Sequence, residues 1–326
     1  MNNKTKILIT GGSGFIGTNL IELLVEKKYD LVNLDLNKPR NSEHLAFWKK
    51  CDILDFEKLL DMFNEFSPDI VVHLAARTDL DGKKLSEYSE NFKGVENVVN
   101  AANSQESVSR LIFTSSLLVC KLGHIPSSDL EFMPNTVYGE SKVMAENIIR
   151  NNTADHYSWT ILRPTSIWGP WFSKPYKDFF DLVLRGGYLH PAGVHPKRTY
   201  GYVVNTVNQI YSIFTDEDAT EMVLYLGDNP PITVYQWAKE ITHVTGADKP
   251  KKVPYFIVYL SSVVGSLVGN VVNFPINLSR LENMSTVAVY DVSYLEGKVE
   301  QLNLNKVSFE NGISQTVNWL KNIHKS

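Results

Sequence analysis

The chain has 326 residues, 43% of them hydrophobic and 21% charged, with a formal net charge of -4. That length suits two domains, or one with a large elaboration, and the mildly acidic balance gives no electrostatic reason to expect nucleic acid as a partner. Two cysteines, Cys51 and Cys120, furnish neither a disulfide framework nor a zinc site, and Met1-Asn2-Asn3-Lys4 enters a strand without an apolar leader. No metal and a cytoplasmic location are therefore expected.

The first element is an apolar run, Lys6-Ile7-Leu8-Ile9-Thr10, that breaks into Gly11-Gly12-Ser13-Gly14-Phe15-Ile16-Gly17 and then takes up helical spacing through Leu20, Ile21, Leu23 and Leu24. It reads as strand, glycine turn, helix. Gly11, Gly14 and Gly17 stand where a dinucleotide-binding unit needs a tight turn, close approach of backbone to a pyrophosphate, and close packing of helix on strand. A second strand, Asp30-Leu31-Val32-Asn33-Leu34, ends at Asp35, about 20 residues on, the place of a ribose-binding carboxylate. Lys38 and Arg40 follow in a polar loop. In the short strand Trp48 to Ile53, Asp52 lies where an adenine would be read, or alternatively in the N-cap region of the next helix.

After the helix around Leu59 to Phe66, Asp69-Ile70-Val71-Val72-His73-Leu74-Ala75-Ala76 reads as a buried parallel strand ending in small residues that let a ligand approach. His73 is read as packing. A helix spans Asn91 to Ala102, and the strand Arg110-Leu111-Ile112-Phe113-Thr114-Ser115-Ser116 ends in hydroxyls. Tyr138-Gly139-Glu140-Ser141-Lys142 opens a further helix, and Trp159-Thr160-Ile161-Leu162-Arg163-Pro164 is a strand. Alternation of strand and helix predicts a doubly wound parallel α/β sheet over 1–165, re-entered around 200–230, with 166–326 forming mainly a smaller mixed α/β substrate domain. A loop is expected from Thr165 to Trp171, helices near 206–214 and 233–245, and a strand piece then a closing helix after Tyr290.

Tyr138 and Lys142 stand four apart on one helix face. A neighbouring ammonium favours the phenolate of a tyrosine whose free pKa is about 10, so the pair suits proton transfer, and Ser116 can hydrogen-bond the same substrate oxygen.

Taken together, Thr10 to Gly17, Asp35, His73 to Ala76, Asn91, Phe113 to Ser116, Tyr138 to Lys142 and Arg163-Pro164 resemble an extended short-chain dehydrogenase/reductase of the sugar-nucleotide epimerase/dehydratase type, over nearly the whole chain. The resemblance implies a Rossmann fold with bound NAD, Tyr138 as base and acid, Lys142 on the nicotinamide ribose, and Ser116 on the substrate oxygen, with Ser115 the lesser candidate. It implies a cofactor site of Gly11, Gly14, Phe15, Ile16, Gly17, Asp35, Asp52, Ile53, Leu74, Ala75, Ala76, Asn91, Thr114, Tyr138, Lys142, Pro164 and Ser166. It also implies a homodimer and a role in glycan precursor synthesis. Arg198-Thr199-Tyr200-Gly201-Tyr202-Val203-Val204-Asn205 resembles the family's Arg-x-Tyr-x-x-Val-x-Asp segment, so Arg198 would grip a substrate diphosphate, with Arg280 a second ligand and Asn205 a departure from the usual aspartate.

Where the resembling 4,6-dehydratases carry an Asp-Glu pair, this chain has Leu117 and Leu118. Neither can move a proton. The expectation is an NAD-dependent 4-epimerase of a diphosphate-linked sugar, the alternatives being a ketosugar reductase or 3β-hydroxysteroid-type dehydrogenase, or a non-catalytic dinucleotide-binding protein. From Val253 to Ser279 no residue is charged. Its small residues Ser261/Ser262, Gly265/Ser266 and Gly269/Asn270 recur every four positions, so it reads as a buried helix, or as a helix over 253–272 resting on an anionic membrane beside Lys249, Lys251 and Lys252. A span is disfavoured because it would strand the closing segment across a bilayer.

Overall fold

Apolar runs bounded by turns make the strands of this protein, and amphipathic segments between them make the helices that cover its sheet. The computed structural model describes residues 4–268 and 278–323. In chain order it forms β1 (Lys6–Thr10), α1 (Phe15–Glu26), β2 (Asp30–Asp35), β3 (Trp48–Lys50), α2 (Phe56–Phe66), β4 (Ile70–His73), α3 (Ser89–Asn103), β5 (Arg110–Thr114), α4 (Val137–Asn152) and β6 (Ser158–Pro164). There follow β7 (Ser166–Trp168), α5 (Tyr176–Leu184), β8 (Leu189–Pro191), β9 (Lys197–Arg198), β10 (Tyr200–Tyr202), α6 (Val203–Ser212), β11 (Met222–Leu226), β12 (Ile232–Thr233), α7 (Val234–Thr245), β13 (Lys251–Val253) and α8 (Tyr255–Val268). The last described elements are α9 (Leu278–Ser285), α10 (Ser293–Gln301) and α11 (Phe309–Ile323).

Seven strands pair in the order β11-β6-β5-β4-β1-β2-β3, every neighbouring pair parallel. This is the doubly wound order 3-2-1-4-5-6 with one strand added. The strand order, not the strand direction, reverses between β1 and β4, so their carboxyl ends open the crevice in which such sheets hold ligands. On one face α2, α3 and α4 bury Phe63, Val98 and Ile149 against Val71 and Phe113. On the other, α1 and α6 bury Leu20, Leu24, Val207 and Ile210 against Ile7, Ile9 and Val72. The chain returns to the sheet through β11, whose Val223 lies opposite Ile161 of β6.

Local signals place the helix ends. Asp55 caps α2 by accepting from Lys58 N at 3.2 Å, and Ser67 closes it with a left-handed φ of 49° just before Pro68. Thr136 caps α4 by accepting from Gly139 N at 3.0 Å, which fixes the first turn that carries Tyr138. Beyond the sheet, Trp168, Phe180, Tyr200, Tyr202 and Trp237 form an aromatic core closed by Ile313, Val317 and Leu320 of α11.

Two expectations need correction. Part of the expected loop after Thr165 is β7, which pairs parallel to β10 because Ile167 and Trp168 are buried between the two cores. Among the described residues after Tyr290 there is no strand but α10, with Leu295 and Val299 at helical spacing and both buried. The uncharged stretch forms α8, while its residues 269–277, including Gly269/Asn270, lie outside the described residues. Among the described residues no helix is long and apolar enough to cross a membrane.

Candidate active site

The turn between β1 and α1 is shaped by contact with β4. Gly11 has a φ of +76°, and a Cβ there would lie 2.5 Å from Ala75 N. A Cβ on Gly17 would lie 2.5 Å from Gly12 Cα, so this turn and the helix behind it close up only with glycine. The helix α1 starts at Gly14 with no side-chain cap and no acidic residue in its first turn. Its opening N–H groups, those of Phe15, Ile16 and Gly17, have no intrahelical acceptor, and a helix N-terminus of this kind favours an anion. A dinucleotide diphosphate fits this cradle.

Asp35 at the end of β2 accepts from Ser13 N at 3.0 Å and from Asn37 N at 2.9 Å, tying the carboxylate to the glycine turn. Burial pushes its pKa up, against those hydrogen bonds and the pull of Arg40. Arg40 itself donates to the carbonyl of Trp171. Asp52 accepts from Leu54 N at 2.9 Å and stabilises a turn, while the N-cap is Asp55. Ile53 is buried over Gly94 and its carbonyl accepts from Asn97 at 2.8 Å. Leu74, Ala75 and Ala76 leave β4 half-buried along the crevice, and Phe15 packs 6.3 Å from Phe172. The amide of Asn91 is spent inside the protein: it brackets Arg77 N and O at 2.8 and 2.9 Å and donates to Ser141 at 3.0 Å. Its place is to hold the loop after β4. Pro164 ends β6 opposite Leu226, and Ser166 hydrogen-bonds Tyr176. His73 shares a 2.6 Å hydrogen bond with Thr10 and stacks on Phe113 at 5.7 Å, and burial depresses its pKa to about 3. It packs as a neutral ring.

At the carboxyl end of β5 the two serines part. Ser115 turns inward and donates to Glu146 at 2.6 Å, whereas Ser116 hydrogen-bonds the phenol of Tyr138. Ser116 also accepts from Leu118 N at 3.1 Å, so a short turn fixes its hydroxyl. Tyr138 packs against Tyr88 at 6.1 Å, and burial pushes its pKa up to about 12 despite the Ser116 bond. Lys142 is 2% exposed and donates to Thr114 O at 3.0 Å. Burial pulls its pKa down to about 8, opposed by Glu146. Beside it Thr114 Oγ1 is buried with no hydrogen-bond partner. Burial therefore drives both members of the Tyr138 and Lys142 pair toward neutrality, and a transferable proton suits such a pair.

Beneath this pair lies an ion pair that residue spacing did not single out. Glu146 and Arg163 are both 0% exposed and meet through Nε to Oε1 at 2.9 Å and through a guanidinium NH2 to Oε2 at 2.8 Å. Arg163 also donates to Tyr225 at 3.3 Å and to Asp129 O at 3.0 Å. The available signal was Lys142 and Glu146 four apart on α4, one turn below Tyr138.

On the substrate side, Arg198 is half-buried with its guanidinium 5.8 Å from the Tyr200 ring and donates to Asn283 O at 3.3 Å. Its Nε is buried without a partner. Arg198 bridges to Ala288, and Ala288 with Tyr290 packs on Leu117, which brings this arginine toward the Ser116 turn. Leu117 and Leu118 lie in that apolar contact. The Arg280 side chain lies outside the described residues. Asn205 donates to Asp228 at 3.0 Å and brackets Val307 N and O at 2.8 and 2.9 Å. An aspartate at 205 would instead oppose Asp228, whose pKa burial already raises to about 6.

A family model described as the NAD dependent epimerase/dehydratase family matches residues 7–227. Among curated relatives, the N-acetyl-alpha-D-glucosaminyl-diphospho-ditrans,octacis-undecaprenol 4-epimerase of Escherichia coli O157:H7 is 30% identical over 242 residues, which cover 72% of this chain and 71% of that one. A 3 beta-hydroxysteroid dehydrogenase/Delta 5→4-isomerase of Mycobacterium tuberculosis is 25% identical over 265 residues, covering 76% and 71%. The crystal structure of UDP-glucose 4-epimerase from Thermotoga maritima matches with a TM-score of 0.75 at 22% identity, covering 98% of this chain and 100% of that chain, a likeness of fold. The chain therefore belongs to the NAD-dependent epimerase/dehydratase family of extended short-chain dehydrogenase/reductases, enzymes whose cofactor is NAD.

Proposed function

We propose that this chain is a 4-epimerase of a diphosphate-linked sugar that proceeds through a transient 4-keto sugar. The observation that carries the reading is the Ser116, Tyr138 and Lys142 cluster at the carboxyl end of β5, with Leu117 buried and Leu118 partly buried where a dehydratase would need an acid and a base. Bound NAD supplies hydride acceptance from C4 and hydride return to it. Gly11, Gly14 and Gly17 with the N–H groups of Phe15 and Ile16 would hold the diphosphate of the cofactor, and Asp35 would hold its adenosine ribose. Tyr138 takes the proton from the C4 hydroxyl while Ser116 hydrogen-bonds the same oxygen. Lys142, its pKa pulled down only to about 8, stays largely protonated at neutral pH and would balance the charge of a Tyr138 phenolate. The keto sugar turns over, and Tyr138 returns the proton as C4 is reduced on its other face. Arg198, whose buried Nε has no hydrogen-bond partner, holds the substrate diphosphate.

Incubation with a diphosphate-linked sugar deuterated at C4 tests this. The epimer should form with the deuterium retained at C4 and without accumulation of free NADH. Tyr138→Phe should lose about 10²–10⁴-fold in turnover while keeping its cofactor. Stoichiometric release of reduced cofactor would replace this reading by a net oxidoreductase, the activity named for the mycobacterial relative. Undiminished turnover by Tyr138→Phe would remove that residue from the chemistry.

A further inference from the structure

The helix α8 is turned the opposite way from an ordinary surface helix. Val258 and Ser262 are 7% and 0% exposed and Gly265 is buried, so these three residues face the protein. The large apolar residues face outward: Phe256 is 63% exposed, Leu260 59%, Val264 49%, Tyr259 46% and Tyr255 44%. A helix that satisfied its own fold would present polar groups there. Tyr255 and Tyr259 stack with ring centroids 6.4 Å apart, a pair with apolar bodies and polar tips of the sort that settles at a membrane–water boundary.

The approach to this helix is basic. Between Gly246 and Pro254 stand Lys249, Lys251 and Lys252 against the single carboxylate of Asp248. All three lysines are exposed, with Lys252 Nζ 4.6 Å from the Tyr235 ring. Strand β13 pairs with β8 and anchors the start of α8, since Ala192 N donates to Val253 O at 2.8 Å. The exposed face thus projects from a fixed point, with cationic side chains at its base. Inward, α8 packs on α9, and α9 supplies the Asn283 carbonyl that receives Arg198.

We propose that α8 lies flat on an anionic lipid bilayer, its Phe256 and Leu260 edge in the acyl boundary and Lys249, Lys251 and Lys252 on the headgroups, and that the sugar processed at Ser116 and Tyr138 is delivered on a polyprenyl diphosphate. The carrier half of this rests on the epimerase reading above. A helix of this kind rests on the membrane rather than crossing it, and the lysines add electrostatic attraction to acidic headgroups. A lipid tail that stays in the bilayer leaves its diphosphate at headgroup level, one helix away from Arg198.

Two measurements on the full chain separate the parts. Co-sedimentation with vesicles of phosphatidylglycerol and phosphatidylcholine, and with phosphatidylcholine alone, reads the docking. The chain should pellet with the acidic vesicles and far less with the neutral ones. Phe256→Ser combined with Leu260→Ser, or Lys251→Glu combined with Lys252→Glu, should each reduce binding about tenfold or more. Both variants should keep wild-type turnover of a soluble sugar nucleotide, or wild-type far-UV circular dichroism if that substrate is refused. Absence of the wild-type chain from the acidic pellet would overturn the docking. So would a change of the Phe256/Leu260 variant from dimer to monomer in sedimentation velocity, which would assign the face to a second copy. The second measurement compares one sugar on undecaprenyl diphosphate in vesicles with the same sugar on a nucleoside diphosphate. Faster turnover of the lipid-borne sugar, lost in the docking variants, is expected. Turnover of only the nucleotide sugar would overturn the carrier assignment and leave the epimerase reading standing. Vesicle binding with neither sugar epimerised would overturn the epimerase reading and its carrier while leaving the docking intact.

Discussion

Glu146→Ala should be among the most damaging single changes in this protein, although Glu146 touches neither the crevice nor the Tyr138 hydroxyl. The carboxylate accepts from Ser115 and twice from Arg163, at 2.6, 2.9 and 2.8 Å, with both charged side chains at 0% exposure. Burial pushes the Arg163 pKa down, and the bonds and charge of Glu146 more than restore it. Truncation strands a guanidinium whose remaining acceptors are the Tyr225 hydroxyl and the Asp129 carbonyl. Removing one partner of a buried pair costs about 3–5 kcal/mol. At about 2 °C per kcal/mol for a large domain, the melting temperature should fall by about 6–10 °C. Urea denaturation followed by circular dichroism measures the loss, and a double-mutant cycle with Arg163→Met isolates the pair. The double variant should recover part of the loss, because no unpaired charge is left buried. Lys142 adds a functional readout. Glu146 opposes the burial that lowers its pKa to about 8, so in Glu146→Ala the basic limb of a pH–rate profile should move to lower pH. A Glu146→Ala protein within 1 kcal/mol of wild type, roughly a fivefold change in the folding constant, would refute the argument.

NAD should bind better than NADP, and Asp35→Ala should narrow the gap about tenfold or more by removing both the ribose hydrogen bonds and the repulsion of a 2′-phosphate; titration of both cofactors reads it, and tighter NADP binding by the unmodified chain would contradict it. Asp228 carries a pH signature of the reverse sign from an ordinary surface carboxylate. Its folded pKa of about 6 lies above the unfolded value of about 3.9, so the stability it contributes is fully present below pH 4 and is lost as pH rises through 6, by about 3 kcal/mol. Asn205→Asp should deepen that loss, because two carboxylates would face each other where Asn205 now donates at 3.0 Å. Chemical denaturation at pH 5 and pH 7.5 tests the sign, and equal stability of the variant at both would refute it.

What one stretch of chain could announce was announced by local physics. The glycine turn, the run of parallel strands and the spacing of Tyr138 and Lys142 each depend on residues within a turn or a strand of one another, and backbone sterics and helical period make such patterns readable. The family followed from those stretches together. Tertiary structure decided the rest. Glu146 and Arg163 pair across 17 residues, and nothing local distinguishes that pair from two solvated charges on separate elements. Ser115 and Ser116 are chemically alike, and only the pleat at the end of β5, with Glu146 behind it, sends one inward and the other to Tyr138. Asn205, a departure from the resembling motif, makes sense only against Asp228 and Val307. The periodicity of α8 likewise declared a small-residue stripe and an apolar stripe without saying which faced the protein. In the folded chain Ser262 and Gly265 lie inside and Phe256 and Leu260 outside. A helical repeat fixes the angle between two faces, whereas the neighbour against which a face is buried comes from distant chain, so that choice exists only in the folded molecule.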